Sequence, residues 1–126
     1  MSTKPTVLVV DDDLSCRTLA ALLLQVGGYE PVAVPSVERA LERLDELQVD
    51  AVLTDLNMPI ESGVDLLLAL RARRLSVPVV VMTGSEDEVL IARTRELGAR
   101  SVLRKPYGAE ELRAHVAAVL PSQAAA

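Results

Sequence analysis

The sequence contains no tryptophan and no phenylalanine, and only two of its 126 residues are tyrosine. Its core must therefore be aliphatic, and a base-stacking platform for single-stranded nucleic acid is disfavoured. Cys16 is the single cysteine, so an intrachain disulfide is excluded and a cytoplasmic location is expected. No apolar run has the length of a membrane span, and three acids interrupt the short apolar run near the amino terminus. We therefore expect neither membrane insertion nor a signal peptide.

Basic residues are outnumbered by acidic ones, 13 to 18, which gives a net charge of -5. An acidic protein is poorly suited to the phosphate backbone of DNA or RNA, so we expect no direct nucleic acid binding. The length suits one domain over residues 1–126, with 121–126 as a tail beyond the folded part.

Short apolar runs alternate with segments of helical periodicity along the whole chain. The runs at 7–10, 31–34, 51–54, 77–82 and 101–103 predict five strands. Strands that alternate with helices indicate an α/β doubly wound fold with a parallel sheet.

The predicted helices differ in how clearly their apolar faces are marked. The first carries a stripe at Leu19, Leu22, Leu23 and Val26, and the third a stripe at Val64, Leu67, Leu68 and Leu70. Ser85 and Glu88 have the spacing of a capping box that opens the fourth helix. The stripe of that helix, Val89 and Ala92, is interrupted by Glu96, so we expect it to be the most loosely packed helix.

Reactive side chains follow four of the predicted strands. Asp11 and Asp12 follow the first, Asp55 the third, Thr83 the fourth and Lys105 the fifth. Parallel strands would bring them to one carboxyl edge, where open α/β sheets bind ligands. Carboxylates about 4 Å apart repel by roughly 1 to 4 kcal/mol, which a hard divalent cation such as Mg²⁺ would offset.

This set of groups fits phosphoryl transfer to an aspartate. Asp55 is the candidate nucleophile, the metal and Lys105 would neutralise charge, and the Thr83 hydroxyl would donate a hydrogen bond. Asn57 could offer a backbone carbonyl to the metal. Each residue alone has an ordinary explanation as a cap, turn or surface charge, whereas the combination is specific.

In their order and spacing, the segments VLVVDDD, VLTDLNMP, VMTG and RKP resemble the receiver domains of two-component response regulators, from about Thr6 to Leu120. The resemblance implies a flavodoxin-like (βα)5 fold with strand order 2-1-3-4-5. It also implies phosphorylation of Asp55 by the phosphohistidine of a sensor histidine kinase or histidine phosphotransfer protein. A downstream protein effector would receive the signal, and a homodimer formed through the fourth and fifth helices stays open.

The resemblance further assigns roles to individual residues. Asp11, Asp12, Asp55 and the Asn57 carbonyl would hold Mg²⁺. Lys105 would pair with the phosphoryl group, Thr83 would move towards it, and the Lys105–Pro106 peptide would be cis. Asp13 receives no role.

Val102 departs from the family pattern, which usually has Tyr or Phe at this position of the last strand. A valine has no ring to swing inward as the threonine moves. Gly84 and Ser85 are also small, so we expect an acyl phosphate that is accessible to water or a partner.

Two other functions remain open. A receiver-like docking module would act without phosphorylation. The valine at 102 keeps this alternative open, whereas retention of all five chemical positions argues against it. A phosphohydrolase with an aspartyl nucleophile would usually carry a second acid two residues after the nucleophile, where this chain has Asn57. A dinucleotide-binding enzyme is excluded because three acids, and no glycine-rich turn, follow the first strand.

Overall fold

Strands and helices alternate throughout residues 4–120, the part of the chain described by this computed structural model. The strands are β1 (Thr6–Val10), β2 (Glu30–Val34), β3 (Ala51–Asp55), β4 (Val79–Thr83) and β5 (Ser101–Arg104). The helices are α1 (Leu14–Val26), α2 (Val37–Glu46), α3 (Gly63–Ala72), α4 (Glu88–Glu96) and α5 (Ala109–Val119). The predicted tail at 121–126 lies outside the described residues.

The sheet is parallel throughout, with strand order β2-β1-β3-β4-β5. This confirms the predicted flavodoxin-like doubly wound fold. The observed strands differ from the predicted ones by one or two residues at their ends. Within residues 4–120, no helix combines the length and apolar character needed to cross a membrane.

Helices cover both faces of the sheet and create two aliphatic core layers. On one face, α2, α3 and α4 pack against alternate strand residues such as Leu8, Val52 and Val81. On the other face, α1 and α5 pack against the intervening residues, among them Val9 and Leu53. Every residue of β3 and β4 is buried, as expected for central parallel strands with helices on both sides.

The buried face of α1 is mostly not the predicted one: of the four predicted residues, Leu23 alone packs against a core layer. Leu19, Leu22 and Val26 are 50%, 54% and 71% exposed, whereas Ala20 and Leu24 are fully buried. Leucine and alanine occupy most sides of this helix. A stripe formed by Ala20, Leu24 and Gly27 therefore fits helical spacing as well as the predicted stripe does. A Cβ at Gly27 would lie 2.5 Å from Arg113 Cδ on α5, so the Arg113 side chain packs directly over this glycine and would have to move for any larger residue.

Two further helix predictions are corrected. On α3, Leu66 is buried in place of the predicted Leu68, which is 43% exposed. The α4 helix starts later than predicted because Asp87, not Ser85, is its cap: the Asp87 carboxylate accepts hydrogen bonds from the amides of Val89 and Leu90.

The face of α4 also differs from the prediction. Val89 is 81% exposed and Ala92 is exposed, while Ile91 and Thr94 are buried. Thr94 can be buried because its hydroxyl donates a hydrogen bond to the Ile91 carbonyl at 2.7 Å. That α4 is the most loosely packed helix stays a prediction.

Candidate functional site

Three carboxylates meet at the carboxyl edge of the sheet. Asp11 follows β1 and Asp55 ends β3, and these strands pair with Val10 opposite Thr54. One carboxylate oxygen from each of Asp11, Asp12 and Asp55 lies within 4.8 Å of the other two. Asp11 and Asp55 are 1% and 6% exposed, whereas Asp12 faces solvent. The structure therefore brings together the three acids that the sequence singled out.

The chain after β1 is held by local hydrogen bonds. The Asp13 amide donates to Asp11 Oδ1 at 3.0 Å, and the Asp13 carboxylate accepts from the Cys16 amide at 3.0 Å. Asp13, to which the sequence analysis assigned no role, is thus the N-cap of α1. Arg17 adds a hydrogen bond from its guanidinium to the Asp11 carbonyl at 2.9 Å. These bonds fix the direction in which Asp11 presents its carboxylate.

Lys105 brings a positive charge into the acidic cluster from the end of β5. Its Nζ lies 3.4 Å from Asp55 Oδ1 and 3.5 Å from Asp11 Oδ2. Burial alone would lower the pKa of Lys105, but the Asp55 and Asp11 carboxylates outweigh it and raise that pKa. The Lys105–Pro106 peptide is cis, as the resemblance implies.

The pKa of Asp55 is raised, chiefly because burial penalises the charged carboxylate. Lys105 opposes this rise, and the negative charge of Asp11 adds to it. The ionised form of Asp55 is therefore held at a cost in the free protein. A cation in the cluster would relieve that cost.

Thr83 and Asn57 are joined directly, a contact that the sequence did not predict. The Thr83 hydroxyl, at the end of β4, donates to Asn57 Oδ1 at 3.0 Å and accepts from the Ser85 amide at 2.9 Å. The backbone amide of Asn57 donates to Asp55 Oδ1 at 3.3 Å. Thr83 is fully buried, and its hydroxyl donates to Asn57 and not to the carboxylates.

Gly63 lets α3 begin directly against the end of β3. A Cβ at this position would lie 3.1 Å from the Asp55 carbonyl oxygen and 3.2 Å from Leu56 Cα. Both neighbours are backbone atoms, which cannot rotate away. Gly63, which the sequence analysis did not single out, thus permits close packing behind Asp55.

The cluster has the properties of a hard-cation site. All its donors are oxygens, and Asp11 Oδ2 is a buried acceptor with no hydrogen-bond donor among residues 4–120. Buried carboxylate oxygens are normally satisfied, so this atom has capacity for a ligand. Oxygen ligands from one or two carboxylates and a carbonyl are what Mg²⁺ prefers.

The surroundings of the cluster are open on the β4 side. A Cβ at Gly84 would have Lys105 Cβ as its nearest neighbour at 3.9 Å, an ordinary van der Waals contact, so this position has room for a Cβ. Val102 is buried in β5 at 8% exposure, with no ring beside Thr83. Tyr107, just past Lys105, is partly buried against the core layer of α1 and α5, and that burial raises its pKa.

Comparison with known proteins gives one family for most of the chain. Residues 7–117 match the family model described as "Response regulator receiver domain". The sensory transduction protein RegX3 of Mycobacterium tuberculosis is 41% identical over 115 residues, which cover 91% of this chain and 50% of RegX3. The transcriptional regulatory protein CpxR of Escherichia coli is 36% identical over 114 residues, covering 90% of this chain and 48% of CpxR.

A solved structure with the same fold is that of the chemotaxis protein CheY4 of Vibrio cholerae. It has 28% sequence identity and a TM-score of 0.88, and the match covers 94% of this chain and all of the CheY4 chain. The chain spans about half the length of the curated relatives it matches. CpxR is named as a transcriptional regulatory protein, which weakens the expectation that no nucleic acid is bound.

Proposed function

Since the chain belongs to the response regulator receiver domain family of two-component signalling, we propose that Asp55 is its phosphoacceptor. The observation that carries the proposal is the placement of Asp55 within reach of two further carboxylates and the Lys105 ammonium at one sheet edge. The phosphoryl donor would be a phosphohistidine of a sensor kinase or a phosphotransfer protein. An Asp55 oxygen forms the new bond to phosphorus as the bond from phosphorus to the histidine nitrogen breaks.

Asp11, Asp12, Asp55 and the Asn57 carbonyl would hold Mg²⁺, which supplies positive charge for the transferring group. Lys105 would hold its ammonium against a phosphoryl oxygen, a role that its raised pKa supports because the side chain stays charged at neutral pH. The Thr83 hydroxyl would leave Asn57 and donate a hydrogen bond to another phosphoryl oxygen. The protein is a switch and not an enzyme with a separate substrate: it promotes its own phosphorylation.

The exposed apolar side of α1 supports a protein as the phosphoryl donor. Leu14 is 66% exposed and immediately follows the Asp13 cap beside the cluster, and Leu22 is exposed on the same helix. Exposed apolar side chains next to a reactive group are typical of a docking surface. A helical histidine-bearing partner could pack there and bring its phosphohistidine over Asp55.

Intact mass after treatment with acetyl phosphate tests the chemistry. We expect a phosphoryl adduct on the wild type with Mg²⁺, and none with a chelator or in Asp55→Asn. Asp45→Asn is the matched control, because Asp45 is an exposed carboxylate on α2 paired with Arg73. A wild type without an adduct, or an adduct retained in Asp55→Asn, would refute the proposal.

One observation favours a second function, a docking module that works without phosphorylation. The buried Val102 has no aromatic ring to couple movement of Thr83 to the surface of α4 and β5. Partner affinity separates the two: a switch binds its partner differently before and after phosphorylation, and a constitutive module binds it equally in both states.

A further inference from the structure

A continuous chain of hydrogen bonds runs from Asp55 to the outer surface of β5. Asn57 contacts Asp55, Thr83 contacts Asn57, and the Ser85 amide contacts Thr83. The chain then continues through the carbonyl of Ser85, which accepts a hydrogen bond from Arg104 Nη1 at 3.1 Å. The other terminal nitrogen of Arg104 donates to Glu88 Oε1 on α4, also at 3.1 Å. Arg104 therefore ties the end of β5 to the segment between β4 and α4.

The arrangement at Thr83 holds one orientation of its hydroxyl. A hydroxyl has a single proton, and here that proton is donated to Asn57. Turning the hydroxyl towards a group on Asp55 removes the bond to Asn57 and also the bond received from the Ser85 amide. Ser85 can follow Thr83 only if its carbonyl moves relative to Arg104. The hydrogen bond from Arg104 opposes that movement.

We propose that Arg104 is a positioning residue for Thr83: by holding the Ser85 carbonyl, it keeps the Thr83 hydroxyl on Asn57 until Asp55 is modified. This inference rests on the proposed phosphorylation of Asp55. The hydrogen bond from Arg104 to Ser85 gives β5 a polar contact with the segment between β4 and α4. The buried Val102 offers no aromatic ring for that purpose. Modification of Asp55 then has to break the contact between Arg104 Nη1 and the Ser85 carbonyl.

The test compares the affinity of the full chain for beryllofluoride, a phosphoryl mimic, in the presence of Mg²⁺. Arg104→Ala should bind it about two- to tenfold more tightly than the wild type, the equivalent of one hydrogen bond that no longer has to be broken. This direction is informative because loss of a nearby positive charge would by itself weaken anion binding. Equal or weaker binding by Arg104→Ala would overturn the proposal.

Two companion variants separate the bond to Ser85 from the ion pair on the surface. Glu88→Ala removes the salt bridge and leaves the Arg104 to Ser85 hydrogen bond, so its affinity should change less than that of Arg104→Ala. Arg93→Ala removes an exposed cation from α4 and should leave the affinity as in the wild type. If Glu88→Ala tightens binding as much as Arg104→Ala does, the effect comes from loss of the surface ion pair. If Arg93→Ala does so, the effect is not specific to Arg104. Either result would overturn the positioning role.

Amide chemical shifts in the free proteins give a readout that loss of stability alone would not produce. In Arg104→Ala, we expect the Ser85 amide resonance to move away from its wild-type position and towards its position in the beryllofluoride complex. An unmoved Ser85 resonance would contradict the inference. A wild type that forms no beryllofluoride complex would refute the proposed function. An unmoved Ser85 resonance in free Arg104→Ala would overturn the positioning role separately, because that comparison needs no complex.

Discussion

Replacing the candidate phosphoacceptor should make the metal-free protein more stable. Asp55 is 6% exposed, and its carboxylate lies within 4.8 Å of two others. At that distance each pair of charges repels by about 1 kcal/mol in water and about 3.5 kcal/mol at an effective dielectric of 20. Attraction to Lys105, 3.4 Å away, offsets part of this repulsion, but the raised pKa of Asp55 shows that the ionised carboxylate has a net cost. We expect Asp55→Asn to gain about 1 kcal/mol at pH 7, or about 4 °C in Tm.

The sign of the pH dependence follows from the direction of the pKa shift. Below the ordinary aspartate pKa near 3.9, Asp55 is protonated whether the chain is folded or unfolded, and the wild type has no penalty relative to the variant. As the pH rises through the raised pKa of the folded state, the unfolded chain has already lost its proton and the wild type loses stability. The advantage of Asp55→Asn should therefore be present at neutral pH and shrink on acidification.

Urea denaturation with a chelator present, at pH 7 and at two lower values, measures this difference. Asp45→Asn controls for replacing any aspartate by asparagine, and since Asp45 is exposed the change should stay within about 0.5 kcal/mol. If Asp55→Asn is less stable than the wild type at pH 7, or if its advantage grows as the pH falls, the argument from burial and repulsion is wrong.

Three other predictions concern the metal, the first helix and the lifetime of the adduct. Mg²⁺ at a hundredfold excess over its Kd should stabilise the wild type by about 2.7 kcal/mol in thermal unfolding, and Asp12→Asn should lose most of this gain. An equal gain in the wild type and in Asp12→Asn would contradict the metal site. Leu24→Ala should lower the free energy of unfolding, measured by urea denaturation, by about 2 to 5 kcal/mol, and Leu22→Ala by less than about 1 kcal/mol, because only Leu24 is buried. The reverse order would support the face of α1 predicted from the sequence. Gly84→Leu should slow hydrolysis of phosphorylated Asp55 by about threefold to tenfold, or about 1 kcal/mol in the barrier, because the leucine would cover the open side of the cluster. Intact mass measures the hydrolysis, and an unchanged rate would argue against this explanation.

The topology could be predicted from the sequence because its signals agree with one another. Each strand is a short, mainly aliphatic run, and a sheet buried on both faces needs little more than such runs. The same pattern places Asp11, Asp55, Thr83 and Lys105 at strand ends. A parallel sheet then brings them to one edge without further information, which is why the acidic cluster could be anticipated.

The helix faces were harder to predict because periodicity becomes ambiguous when a helix is apolar on most sides. In α1 the sequence offers two stripes, and the choice depends on how close α5 approaches at Gly27. Side-chain hydrogen bonds were missed for a similar reason. The contacts from Thr83 to Asn57 and from Arg104 to Ser85 depend on rotamers and on the path of two loops, which no short pattern encodes.

The two tyrosines give the protein a pair of internal fluorophores with different surroundings. Tyr107 lies just past Lys105 at the carboxyl edge of the sheet, where Lys105 and the nearby acids affect its phenol. Tyr29 precedes β2 and so lies at the opposite edge. With no tryptophan in the sequence to mask them, tyrosine emission can follow events at the acidic cluster through Tyr107, and Tyr107→Phe isolates Tyr29 as the reference signal. A core without tryptophan or phenylalanine thus leaves the optical signal of the molecule to two residues, one of which follows Lys105 at the edge that holds the acidic cluster.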